Sequence, residues 1–226
     1  SKPSDMTCVS GSFTYDETYG DYTELAFGED NDVNELITDS SFPADQMIVM
    51  GYISDDDSRD VAMGARLVAD DDAKTSSWCN GYTGYICQLV RSSTSDDDTT
   101  SYVIYIRECT ESGSLSTISY SSSSYTADVG ALYYLTFEAY GDELTCTMTD
   151  SEGNEESSFS TTDSTFDREG AGMMAGYYPV VYFNYFSAGD ATPEPTINPT
   201  PAPSYAGTYE IGSFTSKPND MSVADG

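Results

Sequence analysis

The stretch Ala131 to Asp150, ALYYLTFEAYGDELTCTMTD, decides the fold class. Tyr133, Leu135, Phe137 and Ala139 alternate with Tyr134, Thr136, Glu138 and Tyr140. A period of two puts the first set on one face of a strand and the second set on the other. Gly141-Asp142 supplies a turn, after which Leu144, Cys146 and Met148 resume the alternation. Two alternating runs joined by a Gly-Asp turn read as a β-hairpin.

The same period recurs outward along the chain. Strands are predicted over 46–53, 61–69, 85–91, 102–109, 115–120, 170–177 and 181–187, separated by Gly, Ser and Asp turns. Only Val33 to Ile37 reads as a helical turn. Many short strands and no long helix predict an all-β, two-sheet sandwich. With 19 Tyr and 9 Phe, the chain has enough large apolar bodies for a core despite an apolar fraction of 38%.

Charge narrows the partners. The chain holds 39 acidic residues, 8 Lys and Arg and no His, for a net charge of −31. Binding to nucleic acid neutralises phosphates with Lys and Arg, so that class is excluded. The same sign disfavours anionic membrane surfaces, and no apolar run approaches the roughly 20 residues of a spanning helix. Cations, neutral sugars and copies of the chain itself remain as partners.

Five cysteines in an acidic, hydroxyl-rich chain predict an oxidising, extracellular location. Cys79 and Cys87 bracket a loop with two glycines and are the first expected disulfide; Cys109 and Cys146 are the second, which leaves Cys8 over. A zinc site competes with this reading but lacks both C-x-x-C spacing and histidine.

Composition changes after Asp190. Residues 191–204 read ATPEPTINPTPAPS, and five prolines deny this stretch a place inside a sheet. It is expected to be an extended polyproline linker of roughly 40 Å. Thr192, Thr196, Thr200 and Ser204 recur every fourth position and are the expected sites of O-linked sugar. Asn198 is followed by Pro199 and is no N-glycosylation acceptor.

Residues 1–11, SKPSDMTCVSG, return at 216–226 as SKPNDMSVADG, a period of 215 with Ser, Lys, Pro, Asp, Met and Gly in identical places. The division expected is a sandwich over 1–190, a linker over 191–204, and the opening strand of a following unit over 205–226. Tyr209, Glu210, Ile211 and Phe214 then form a strand that completes a neighbouring copy by β-strand addition. Head-to-tail joining of copies follows, through one covalent chain or through separate subunits.

YYLTFEAYGDELTCTMTD (133–150), DSTFDREGAGMMAGYY (163–178) and VYFNYFSAGD (181–190) together resemble the C-terminal half of concanavalin A-like, laminin G-like jelly-roll domains. The resemblance covers about a quarter of the chain. It implies a jelly roll whose final strand lies beside the first, and often a calcium ion in a loop. The Thr/Pro linker is similar to those of algal and other protist surface glycoproteins and of glycan-coated extracellular fibrils.

Candidate chemistry is sparse. The resembled enzymes that cleave β-glucans carry an E-x-D-x-E strand, and no such run occurs here. Without histidine, no Ser or Cys nucleophile has a histidine base. Glu138, Asp142 and Glu143 read as a solvated hairpin tip. Asp55, Asp56 and Asp57, Asp70, Asp71 and Asp72, and Asp96, Asp97 and Asp98 are candidate Ca²⁺ ligands, with solvated turns as the alternative. Trp78, Tyr82 and Tyr85 are candidates for stacking on sugar rings, with core packing as the alternative. Two functions are expected from this reading. The first is a non-enzymatic structural unit of an extracellular filament or surface coat; the alternative is a lectin-like carbohydrate-binding module.

Overall fold

A computed structural model describes residues 6–10, 13–16, 24–27, 33–53, 60–69, 81–94, 99–112, 114–177, 182–191 and 209–210. Its described residues contain sixteen strands and no helix. These are β1 (Met6–Ser10), β2 (Phe13–Asp16), β3 (Glu24–Phe27), β4 (Val33–Thr38), β5 (Gln46–Ile53), β6 (Asp60–Ala69), β7 (Tyr82–Thr94) and β8 (Thr99–Cys109). The second half holds β9 (Leu115–Tyr120), β10 (Tyr125–Asp128), β11 (Leu132–Tyr140), β12 (Glu143–Asp150), β13 (Glu155–Thr162), β14 (Ala171–Tyr177), β15 (Tyr182–Asp190) and β16 (Tyr209–Glu210).

The strands form two antiparallel sheets. Sheet A runs β1-β4-β14-β6-β7-β8-β10, with β9 also on β8; sheet B runs β13-β12-β11-β5-β15-β3-β2, with β16 also on β15. The hairpin read from residues 131–150 is β11–β12, in which Leu135 faces Met148 and Phe137 faces Cys146. Its expected inward set is buried, as are Leu144, Cys146 and Met148. The region read as a helical turn is β4. Val33, Leu36 and Ile37 have helix-like spacing, but β4 is hydrogen-bonded between β1 and β14, and two ladders override that local preference.

The core lies between the sheets. One end is built from tyrosines. Tyr52 meets Tyr102 edge-on at 6.5 Å and lies 6.1 Å from Tyr133, which meets Tyr125 at 5.7 Å. The Tyr52 hydroxyl donates to Met148 Sδ, and the Asp128 N–H donates to the Tyr133 oxygen. Burial raises the pKa of Tyr52 well above that of a free phenol, and the neighbouring Tyr102, Tyr125 and Tyr133 add to it. A tyrosine-rich chain thus makes a core by pairing rings, with the tips of Tyr52 and Tyr133 hydrogen-bonded.

The other end is tied by one cation. Arg66 is fully buried at φ 56°, in a bulge of β6 between Ala65 and Val68. Its Nε donates to Ala44 O, Nη1 to Phe166 O and Nη2 to Gly141 O, and Asp45 lies 3.8 Å away. Gln46 accepts the Arg66 N–H through Oε1 and donates through Nε2 to Phe42 O and Gly170 O. Gly170 packs so closely on Arg66 that a Cβ there would sit 2.4 Å from the Arg66 carbonyl carbon. Three segments remote in sequence, around positions 44, 141 and 166, converge on this one guanidinium.

The disulfide expectations are corrected. Cys87 on β7 is bonded to Cys146 on β12, which excludes the pairs Cys79–Cys87 and Cys109–Cys146; Cys109 is also disulfide-bonded. Cys87 and Cys146 both point inward from facing sheets, with Cα atoms 6.2 Å apart. Across-sheet proximity decided the pairing, whereas the loop spacing had favoured a neighbour in sequence.

The final strand does lie beside the segment expected to open a unit, since β16 pairs with β15. β15 lies between β5 and β3, while β1 joins the other sheet. The strand expected to be exchanged is at β15 as well, but on its own chain: Glu210 pairs with Ser187 and Tyr209 with Ala188. Ile211 and Phe214 lie outside the described residues, as do Thr192, Thr196, Thr200 and Ser204.

Candidate functional site

The outer face of sheet A is divided. Towards β4, β14 and β6, its residues Glu35, Ile37, Ala62, Met173 and Ala175 are buried. Towards β8 and β9 it is open. β8 alternates, so Tyr102, Ile104 and Ile106 enter the core while Val103, Tyr105 and Arg107 face outward.

Tyr105 stacks on Tyr120 of β9, with centroids 5.4 Å apart and planes 25° apart. Tyr120 is 58% exposed, unusual for so large a side chain. The Arg107 guanidinium lies 4.4 Å from the Tyr105 ring centre, a cation–π contact. Burial lowers the Arg107 pKa from its ordinary value, and Tyr105 and Asp60 oppose that shift.

Gln88 and Asp60 complete the boundary between the open and buried halves. Gln88 faces Tyr105 across the β7–β8 register and is 1% exposed. Its Nε2 donates to Asp60 Oδ2, and the Arg91 N–H donates to Asp60 Oδ1. Gln88 Oε1 and Arg107 Nε, both buried, find no hydrogen-bond partner among the described residues. A buried acceptor and a buried donor therefore lie beside an exposed aromatic platform. Such groups cost free energy unless something satisfies them.

This arrangement can hold a hydroxylated ligand: the ring faces offer apolar contact, and amide, guanidinium and carboxylate offer directional hydrogen bonds. The Asp60 carboxylate is already engaged, and no second carboxylate faces it in a glycosidase-like pair among the described contacts.

The residues expected to stack on sugar are dispersed. Trp78 lies outside the described residues. Tyr82 is half-buried on the same outer face; burial raises its pKa, and the charges of Glu35 and Asp39 add to that. Tyr85 is a core residue. It meets Phe166 at 5.2 Å, its hydroxyl donates to Asp163 Oδ1 at 2.6 Å, and it accepts the Phe166 N–H. Its pKa is pushed up to about 12, chiefly by burial and next by the bond to Asp163. The three Asp triplets lie outside the described residues; among the described ones, no cluster of three metal-ligating side chains occurs. Glu143 and Asp142 sit in the exposed β11–β12 turn.

Asp163 gives this end of the molecule an acid response. Burial pushes its carboxyl up, but bonds from the Tyr85 hydroxyl and from Thr165 outweigh that and hold the pKa below the ordinary value. A carboxyl depressed on folding stabilises the fold above its unfolded pKa, and that contribution is lost as pH falls through the folded value. The stability advantage of the native chain over Asp163→Ala is therefore expected to shrink below about pH 4. Urea unfolding of both proteins between pH 7 and 3 measures it, and a difference that stays constant with pH rejects it.

No protein-family model and no curated protein matches the sequence. Solved structures do match. The carbohydrate binding module CBM66 from Bacillus subtilis superposes with a TM-score of 0.54 at 18% identity, over 79% of this chain and 91% of that one. A Bacillus subtilis protein described as having a galectin-like fold gives 0.53 at 9% identity, over 82% and 89%. The exoplasmic/lumenal domain of VIP36, in a Ca²⁺/Man3GlcNAc-bound form, gives 0.51 at 9% identity, over 85% and 88%. The fold is a lectin-like jelly roll. At these identities the likeness concerns architecture alone, and the jelly roll's chemistry rests on its own residues.

The site residues here were mostly invisible in the sequence. Tyr105 and Tyr120 lie in strands that were read correctly, but Gln88, Asp60 and Arg107 come from three strands. Only sheet pairing places them together.

Proposed function

We propose that this jelly roll is a carbohydrate-binding, lectin-like module of an extracellular protein. It holds a saccharide on the open half of the outer face of sheet A. The observation that carries this reading is the exposed Tyr105–Tyr120 stack set against the unpartnered Gln88 Oε1 and Arg107 Nε. A sugar ring lies on the exposed Tyr120 ring, and small side-chain shifts that uncover Gln88 Oε1 and Arg107 Nε let one hydroxyl donate to the first and another oxygen accept from the second. The similar structures include a carbohydrate binding module and a lumenal domain with a bound oligosaccharide, which supports this reading. The buried disulfide supports an oxidising, extracellular setting. The module binds and does not cleave.

Glycan-array screening followed by calorimetry on the full chain tests the proposal. Tyr120→Ala is expected to weaken the best glycan about tenfold, as loss of an aromatic contact of roughly 1.4 kcal/mol implies. Gln88→Leu is expected to weaken it at least as much. Wild-type affinity in Tyr120→Ala, or no glycan bound by the native chain at millimolar concentration, rejects it.

The recurrence of residues 1–11 at 216–226 favours a second, compatible reading, in which such modules follow one another head to tail through an O-glycosylated linker. Exchange of Tyr209–Glu210 between copies gains nothing from the structure, since that strand pairs with its own chain.

A further inference from the structure

We infer that the outer face of sheet B is a second binding surface, separate from the tyrosine stack of sheet A, and that its ligand is an extended neutral polysaccharide. Three features of this face point to that chemistry: its charge, its hydroxyls and a half-buried aromatic pair set edge to face, with planes 74° apart.

Across β13, β12, β11, β5 and β15, the registers align Ser158, Thr147, Thr136, Val49 and Ser187 in one transverse row. The next row holds Ser160, Thr145, Glu138 and Met47. Ser187 at the β15 end is buried, so at interstrand spacings of about 4.8 Å the four strands from β13 to β5 give an open field roughly 14 Å wide. Within these two rows Glu138 is the sole charged side chain, in a protein of net charge −31.

The hydroxyls of this field are paired with each other. Thr145 meets Ser160 at 2.9 Å and Thr147 meets Ser158 at 3.0 Å. Each pair consumes one donor and one acceptor, leaving a donor and further lone pairs facing outward. The pairing also fixes side-chain rotamers, so less entropy is lost when a ligand docks.

A third row carries the aromatic element. Tyr134 on β11 and Tyr185 on β15 flank Gly51 on β5. A Cβ at Gly51 would lie 3.1 Å from Tyr134 Cε1 and 3.1 Å from Tyr185 Cβ. The missing side chain therefore lets the Tyr134 ring lie down across β5 towards Tyr185, whose ring centre is 6.3 Å away. Both tyrosines are only half-buried.

A polyanion is repelled by the charge of the chain and meets no Lys or Arg in this field. An apolar protein partner lacks a contiguous apolar patch, because hydroxyls interrupt it. A neutral glycan chain suits both parts: a sugar ring face lies against one ring of the edge-to-face tyrosine pair, and its hydroxyls exchange hydrogen bonds with the threonine and serine rows.

The test uses the full chain carrying Tyr120→Ala, which removes the platform on sheet A. Depletion from solution is measured with cellulose, chitin, β-1,3-glucan and mannan, with polygalacturonate as the anionic control. Binding to at least one neutral polysaccharide and none to polygalacturonate is expected. Adding Thr147→Glu, an outward-facing change, should weaken that binding at least tenfold, and Tyr185→Ala should do the same. Circular dichroism and thermal melting confirm that each variant folds. Equal binding by folded Thr147→Glu and Tyr185→Ala variants overturns the inference, as does depletion by polygalacturonate alone. Concentration-dependent dimerisation that Thr147→Glu abolishes, with no polysaccharide bound, assigns the face to a second copy and also overturns it. Loss of the sheet A site leaves this readout intact, so the two sites succeed or fail separately.

Discussion

Replacing Arg66 with methionine is expected to cost about 4 kcal/mol of folding free energy, the largest effect of any single side chain outside the disulfide. Methionine keeps much of the stem volume, so a cavity is not the main term. What is lost is the set of donors to Ala44 O, Phe166 O and Gly141 O. Hydrogen bonds from a charged donor are worth about 1.5–3 kcal/mol each, and the total falls short of their sum because the orphaned carbonyls relax together. The positive φ of Arg66 adds a backbone strain that only those bonds justify. Lysine should restore little, because an ammonium cannot present the planar fork that reaches three carbonyls. Urea unfolding of Arg66→Met and Arg66→Lys measures both effects. A loss below about 1 kcal/mol in Arg66→Met would show that this cation does not hold the end of the sandwich together.

The second large effect concerns the bond from Cys87 to Cys146. It closes a loop with a sequence separation of 59. Constraining a loop of that length removes about 4 kcal/mol worth of entropy from the unfolded chain. The double variant Cys87→Ala, Cys146→Ala is therefore expected to lose about 4 kcal/mol, with a further loss of packing because both positions are fully buried. Gentle reduction of the native protein should be slow, since neither sulfur is reachable until the sheets part. Denaturant melts of the oxidised chain and of the double variant decide the matter. Coincident midpoints would mean that the bridge is incidental to stability.

How much of this was legible beforehand depended on distance along the chain. The β11–β12 hairpin was plain because Tyr133, Leu135, Phe137 and Ala139 alternate strictly and Gly141-Asp142 supplies the turn. β13 escaped notice: EESSFSTT has only Phe159 to mark an inward face, and its pairing with β12 is carried by hydroxyls. Val33 to Ile37 misled because its apolar spacing is helical, and only the ladders on both sides settle it as a strand. Arg66 looked like any surface charge, since nothing in the flanking residues announces that its partners sit near positions 44, 141 and 166. The Cys79–Cys87 expectation failed for the same reason, because facing sheets brought together residues that the local loop did not. The two proposed binding faces sit between these extremes. Their tyrosines could be assigned to strands, but Gln88 beside Arg107, or Tyr134 laid across Gly51, exist only once the registers are known.

The bridge between the sheets also fixes how far the molecule can stretch. Residues 87 to 146 form a closed ring that carries β8, β9, β10 and β11. A pull applied at the chain ends cannot straighten that ring while the sulfurs remain joined. At roughly 3.4 Å per residue, about 200 Å of contour stays hidden under tension. Under tension, an oxidised chain would therefore extend about 200 Å less than a reduced one, a difference that single-molecule pulling reads directly.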